Sequence, residues 1–181
     1  MIFTETKLNG VFIIEPEKLE DERGFFARSF DSEIFKEHGL NPNVRQCNMS
    51  YNKEKGTVRG MHFQLHPHQE AKYLRCIGGR IFDAVVDLRQ KSSTFKQWIG
   101  VEMSAENRKM IFVPEGCVNG FQTLTDDVEL AYQASEAYIP QYERGLRWND
   151  PAFGIKWPLE PTVMSEKDKS WPLFQDGLYQ M

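Results

Sequence analysis

Short apolar runs, broken every few residues by glycine, proline, aspartate or asparagine, dominate this chain. Eight of them have the length and the β-branched or aromatic content of strands: residues 11–14, 58–64, 72–76, 81–88, 98–103, 109–113, 120–124 and 128–134. In 81–88, Phe82, Ala84, Val86 and Leu88 alternate with Asp83 and Asp87, while Ile81 and Val85 make both faces largely apolar. Gly78-Gly79 and Asp126-Asp127 mark tight connections, and Pro114-Glu-Gly116 ends a strand. One helix is predicted, capped by Asp31 or Ser32, with Ile34 and Phe35 as its apolar stripe, His38 suited to its C-terminal dipole and Gly39 stopping it. After Pro140 the pattern is irregular and proline-rich, with a short helix expected near Ser165. Many short strands at regular spacing predict an all-β sandwich or barrel with a few short helices, and a double-sheet jelly roll fits best.

Composition narrows this picture. At 181 residues, the chain is expected to be one domain, 1–181, around one core. No repeat, low-complexity tract or linker interrupts it. A net charge of −4 gives no general attraction to nucleic acid or an anionic membrane, so a basic site has to be local. No apolar run approaches the roughly 18 residues of a membrane span, and the opening MIFTETKLNG lacks the basic-then-apolar layout of a signal peptide. Cys47, Cys76 and Cys117 are odd in number and widely spaced, which suits reduced thiols in a cytoplasm. Aromatic residues often adjoin cations, as in Arg23-Gly-Phe-Phe and Arg147-Trp, which suits a ligand with a ring and phosphates; chance adjacency explains any single pair equally well.

Three of the four histidines, His62, His66 and His68, fall within seven residues. A metal site is one reading, because His66 and His68 are two apart and Glu70 continues their face, as in metal-binding cupin barrels. Those barrels take a further histidine soon after a Pro-x-Gly turn, where this chain has Asn119, and a neutral amide is a poor transition-metal ligand. A second reading makes His62 a general base beside Arg59 and Lys72, which suit an anionic substrate. Strict alternation sends Arg59 and His62 to opposite faces, so this reading needs a bulge or kink at Gly60. Tyr132, on the inward face with Val128 and Leu130, would then offer a hydroxyl to the pocket. The third reading is structural: each residue satisfies a local need, and Ser165-Glu-Lys-Asp168 is a capping box at a helix start. Spacing alone leaves the three open.

The ordered set of segments decides among them. Asp21-Glu-Arg-Gly-Phe-Phe26, Gln46-Cys-Asn48, Arg59-Gly-Met-His-Phe-Gln64, Ala71-Lys72, Arg75-Cys76 and Phe82-Asp-Ala-Val-Val-Asp-Leu-Arg89 come first. Pro114-Glu-Gly116, Gly120-Phe121, Trp148-Asn-Asp-Pro-Ala-Phe-Gly154 and Ser165-Glu-Lys-Asp168 follow. Together they resemble the dTDP-4-dehydrorhamnose 3,5-epimerase family over nearly the whole chain. The resemblance implies a cupin-type jelly roll (a double-stranded β-helix), a homodimer, no metal and no other cofactor, and a nucleotide-diphosphate sugar as substrate. It implies His62 as catalytic base with Asp168 as its carboxylate partner, Tyr132 as the acid on the opposite sugar face, and Lys72 at the C4 oxygen. Arg23, Arg59 and Lys167 match diphosphate contacts; Gln46, Cys47, Asn48 and Glu143 match further nucleotide-sugar contacts; Phe26 and Tyr138 match the pocket for base and sugar.

The implied chemistry is coherent, since a C4 ketone acidifies the hydrogens on C3 and C5 and one base and one acid on opposite faces can invert either centre. Two positions depart from the family pattern. Asn119 stands where Pro-Glu-Gly-x-x-His-Gly-Phe has histidine; it can donate a hydrogen bond to a sugar or enolate oxygen but cannot exchange a proton. Arg28 occupies a nucleotide-contact position that is acidic in some members. The rivals are an epimerase acting at C3 or C5 alone, a ketoisomerase, and a non-catalytic sugar-binding jelly roll.

Overall fold

The computed structural model describes residues 1–177 and Tyr179. Thirteen strands account for most of the order: β1 (Ile2–Glu5), β2 (Phe12–Glu15), β3 (Leu19–Asp21), β4 (Gly24–Phe26), β5 (Gln46–Asn52), β6 (Val58–Gln64) and β7 (Lys72–Gly78), followed by β8 (Arg80–Asp87), β9 (Trp98–Ser104), β10 (Met110–Val113), β11 (Cys117–Thr123), β12 (Val128–Ala134) and β13 (Glu143–Gly145). Among the described residues, two short α-helices, α1 (Ser32–Glu37) and α2 (Glu166–Ser170), and a 3-10 turn at Pro140–Tyr142 join them. A six-stranded sheet, β1-β2-β10-β7-β12-β5, lies against a five-stranded sheet, β13-β6-β11-β8-β9, and β3 pairs only with β4. All pairings are antiparallel. This is the expected all-β double-sheet jelly roll. Among the described residues, no helix is long and apolar enough to cross a membrane.

Three apolar clusters explain the layering. The central one joins Leu74, Ile111 and Leu130 of the larger sheet to Ile81, Val85 and Phe121 of the smaller. A second covers the outer face of the smaller sheet, where Ala84, Val86 and Leu88 pack on Met61, Leu146 and Phe153. A third seats Phe35 of α1 on Tyr73, Met110 and Phe112. The alternation in β8 therefore runs opposite to the usual rule. Its all-apolar parity faces outward beneath the irregular segment after Pro140, while Asp83 and Asp87 share the inward parity with Ile81 and Val85, and both carboxylates are fully buried. Buried carboxylates need partners; Asp87 has Arg89, Ser92 and Thr94, and Asp83 has Asn119.

Several boundaries differ from the sequence pattern. Five strands, β1, β3, β4, β5 and β13, were not predicted; β5 (QCNMSYN) has too few apolar residues to show a period. The strand expected at 120–124 starts at Cys117, so Asn119 lies inside β11, whose seven residues are all buried. Asp31 caps α1, accepting from the backbone N–H groups of Glu33 and Ile34, and His38 Nδ1 meets the Ile34 carbonyl at 2.8 Å.

Candidate active site

A pocket of about 650 Å³ opens between the two sheets, with walls from β5, β7 and β12 on one side and β6, β11 and β13 on the other. That volume is ordinary for a small-molecule site. Gln46, Asn48, Arg59, His62, Lys72, Asn119, Tyr132, Tyr138 and Glu143 all line it, as do Glu70 and Gln64.

His62 reaches the pocket through a bulge. The β6–β11 register passes from Phe121↔Arg59 to Asn119↔His62, so three steps on β6 match two on β11. The extra residue brings Arg59 and His62 to one cavity despite their odd spacing. Only glycine fits at position 60: its φ is +119°, and a Cβ there would lie 2.6 Å from Gly120 Cα. Behind His62 stands α2. Ser165 caps the helix by accepting from the Asp168 N–H, but the Asp168 carboxylate does not close the capping box. It points to His62 Nε2 at 2.6 Å and also accepts from the Gly60 N–H at 3.3 Å. Trp171, just beyond α2, lies over Gly145 of β13, where any Cβ would strike the indole within 2.2 Å.

Asp168 is buried. Burial alone would raise its pKa, but the hydrogen bond and charge of His62, with the Gly60 N–H and Ser165, bring it below the usual carboxylate range. A carboxylate therefore holds a proton on Nε2 and leaves Nδ1 as the ring nitrogen with a free lone pair. Such an arrangement suits a general base whose imidazolium form is stabilised from behind.

Around this dyad the walls are polar and charged. Lys72 Nζ donates to the His62 carbonyl at 2.9 Å and pairs with Glu70 at 3.2 Å, both side chains being largely buried. Tyr132 packs against the central core from β12, and its hydroxyl has no hydrogen-bond partner among the described residues. Burial and the charge of Glu70 raise its pKa, with Arg59 opposing, so it remains a protonated phenol and a proton donor. Arg59 is tied by Nε to Asn52 at 2.6 Å. At the rim, Lys167 and the Tyr138 hydroxyl both bond Glu143; burial would raise the Glu143 pKa, but these two partners hold it low. The Tyr138 N–H also donates to Gln46 Oε1.

Five expected contact residues stand outside this lining, Lys167 at its rim among them. Cys47 lies between Gln46 and Asn48 on β5 and is exposed, as are Met49 and Tyr51, which border the pocket. Arg23 sits in the exposed β3–β4 turn, paired with Asp21. Phe26, on β4, is 65% exposed, and Arg28 pairs with Asp31 at the start of α1. Asn119 departs from expectation in another way, because its Nδ2 is engaged with Asp83 Oδ1 at 3.1 Å rather than held free for a ligand. His68 stacks edge-on against Tyr142, and Glu70 faces Lys72 rather than the histidines. Among the described residues no group of three His, Cys, Asp or Glu is arranged to hold a metal ion. Sequence reading missed Asp83 as a pocket neighbour and Glu70 as the partner of Lys72. Two signals were present: a carboxylate on an apolar strand, and a Glu two residues from a Lys.

A carboxylate-backed imidazole, a phenol and an ammonium lining one cavity can move protons on and off carbon; with this jelly roll, that is the class of cupin-type isomerases. The comparisons make the class specific. The pattern of the family described as dTDP-4-dehydrorhamnose 3,5-epimerase matches residues 5–176. The chain is 45% identical to the dTDP-4-dehydrorhamnose 3,5-epimerase of Methanothermobacter thermautotrophicus, over 98% of this chain and 97% of that one. The crystal structure of the Elizabethkingia anophelis enzyme of that name superposes with a TM-score of 0.95 at 37% identity, covering 99% of each chain. The Legionella pneumophila dTDP-6-deoxy-D-glucose-3,5-epimerase, solved with dTDP-4-keto-L-rhamnose, matches with a TM-score of 0.89 at 36% identity, over 95% of this chain and 92% of that one. This chain belongs to the dTDP-4-dehydrorhamnose 3,5-epimerase family.

Proposed function

We propose that the protein converts dTDP-4-dehydro-6-deoxy-D-glucose to dTDP-4-dehydro-L-rhamnose by inverting C3 and C5, as a single cytoplasmic domain acting within a homodimer. The observation that carries this reading is the 2.6 Å contact of buried Asp168 with Nε2 of the pocket-lining His62, which leaves Nδ1 for the substrate. Nδ1 takes the proton next to the ketone. The electron pair moves to the C4 oxygen, where the Lys72 ammonium stabilises the enolate. The Tyr132 hydroxyl then delivers a proton to the opposite face of the same carbon, and solvent restores both groups. Arg59 and Lys167 bind the diphosphate, while Gln46, Asn48, Tyr138 and Glu143 hold the nucleotide and sugar.

Arg23, Phe26 and Arg28 fit this reading through the dimer. Among the described residues the β3–β4 hairpin pairs with no other strand, and its Leu19, Phe25 and Phe26 are exposed. Edge strand β5 exposes Met49 and Tyr51. Such an apolar edge is unfavourable in a monomer. A hairpin reaching a second copy would carry Arg23 and Phe26 to that copy's substrate. A narrower reading, inversion at one carbon only, is favoured by one observation, that Asn119 stands beside His62 where a second imidazole could exchange a proton.

Incubation with dTDP-4-dehydro-6-deoxy-D-glucose in deuterated water, followed by NMR, tests both. Deuterium at C3 and C5 is expected; deuterium at one carbon selects the narrower reading, and none, with dTDP still bound, rules the activity out. His62→Ala is expected to abolish exchange and leave dTDP binding nearly intact.

A further inference from the structure

Asp83 is fully buried on β8, and its Oδ2 has no hydrogen-bond partner among the described residues. Its Oδ1 accepts from Asn119 Nδ2 at 3.1 Å. The amide is planar, so this bond turns the nitrogen toward β8 and directs the Asn119 oxygen elsewhere. That oxygen accepts from no described group, and Asn119 lines the pocket next to His62. A carboxylate behind the amide therefore selects which of its ends the pocket meets.

We propose that Asp83 is a positioning residue for this site, setting through Asn119 whether an amide oxygen or an amide NH2 faces the sugar. As a carboxylate, Asp83 accepts from Nδ2 and the oxygen is left for the pocket. As a carboxylic acid, it has an O–H to donate, and the Asn119 oxygen is the acceptor within reach. Rotation of the amide by half a turn then satisfies that O–H and presents the NH2 to the pocket. The first state suits a sugar hydroxyl, which can donate; the second suits a carbonyl or enolate oxygen, which only accepts.

The surroundings make both states accessible. Burial pushes the Asp83 carboxyl up to about 7, with the Asn119 hydrogen bond and the Lys72 charge opposing. Around the pair, β7 contributes Lys72, β6 contributes His62 and Arg59, and β12 contributes Tyr132. Glu70 lies beyond Lys72, while on β9 the residue paired with Asp83 is Val101, which carries no charge. Among the described residues no cation pairs directly with Asp83 to fix it as a carboxylate.

NMR on the free, isotope-labelled protein between pH 5.5 and 8.5 tests this without any substrate. The Asp83 carboxyl carbon is expected to titrate, and the Asn119 NH2 protons to lose their cross-peaks to β8 on the acid side in the same transition. In Asp83→Asn residue 83 no longer titrates, so the Asn119 signals should be independent of pH. The kinetic counterpart rests on the proposed keto-sugar reading: KM for the 4-keto substrate rises roughly tenfold through the transition, the worth of one hydrogen bond, and that rise is absent in Asp83→Asn. An Asp83 titration that leaves the Asn119 cross-peaks unchanged overturns the proposal on wild-type protein alone, even if the variant fails to fold. Loss of turnover with the NMR transition intact would instead count against the epimerase reading.

Discussion

His62 and Asn119 are register partners on β6 and β11, and each has a buried aspartate behind it, yet the two carboxyls shift in opposite directions. Asp168 accepts from an imidazole and a backbone N–H, with Ser165 nearby, and is held as a carboxylate. Asp83 accepts one amide N–H, leaves an oxygen orphaned, and is pushed toward the neutral acid. Both are buried, but Asp83 completely and Asp168 less so, and desolvation weighs more on Asp83. The number and charge of the donors adds to that difference. An aspartate behind a wall residue is thus not by itself a catalytic dyad; the partner decides whether it stores charge or loses it.

The largest effect should come from removing charge on the His62 side. Asp168→Asn is expected to lower kcat on the order of 10³-fold, because an amide cannot hold the Nε2–H tautomer or stabilise the imidazolium. Binding of dTDP, read by calorimetry, should change little. Asp83→Asn should lower kcat less than about tenfold. Equal losses in the two variants would erase the distinction between the dyads.

Next in size is the backbone that brings these strands together. Gly60→Ala forces a Cβ to within 2.6 Å of the Gly120 backbone at a φ of +119°, at an expected cost of about 3 kcal/mol. Gly24 also has a positive φ, +127°, but open space around it. Gly24→Ala should therefore cost only about 1 kcal/mol of strain. Urea midpoints of the two variants separate clash from strain, and similar losses would mean that the β6 bulge yields easily.

A smaller effect should appear in stability against pH. The folded-state pKa of Asp83 lies above its unfolded value, so the folded state binds the extra proton and stability falls as pH rises from about 4 to about 7. Asp83→Asn is expected to be about 2 kcal/mol more stable than wild type at pH 8, with the gain shrinking toward pH 4. For Asp168 the sign reverses: its folded pKa is depressed, so its contribution is present above the unfolded pKa near 4 and lost as pH falls below it. Thermal melts at pH 8 and pH 5 that move both variants the same way would show that the opposite shifts are not real.

How much of this was legible in the sequence follows the same division. Strands with a clear apolar period, 58–64 and 128–134, have the predicted ends, and Gly60 marked the bulge because two useful residues had incompatible parity. β5 and the β3–β4 hairpin stayed hidden, since an exposed or pocket-facing strand leaves no apolar period to read. The helix pattern at Ser165 was legible, but not that the Asp168 carboxylate would leave the cap for His62, a contact 106 residues away in sequence. Asp83 showed only as an interruption of an apolar strand. Its orphan oxygen is a tertiary property, created where β8 meets β11.

The smallest predicted effect is the most direct test of the comparison, because it makes the two positions alike. Asn119→His would set an imidazole in front of Asp83, which then gains a partner able to carry charge, and the buried pair should shift from neutral acid toward carboxylate and imidazolium. Two imidazoles would then border the sugar where the wild type has one. The expected outcome is a several-fold change, of the order of one hydrogen bond, in the ratio of deuterium entering C5 to that entering C3. The Asp83 carboxyl carbon should also cease to titrate near neutral pH. If the ratio is unchanged while Asp83 has become a carboxylate, proton exchange at both carbons depends on the His62 side alone, and Asn119 shapes binding rather than the choice of carbon.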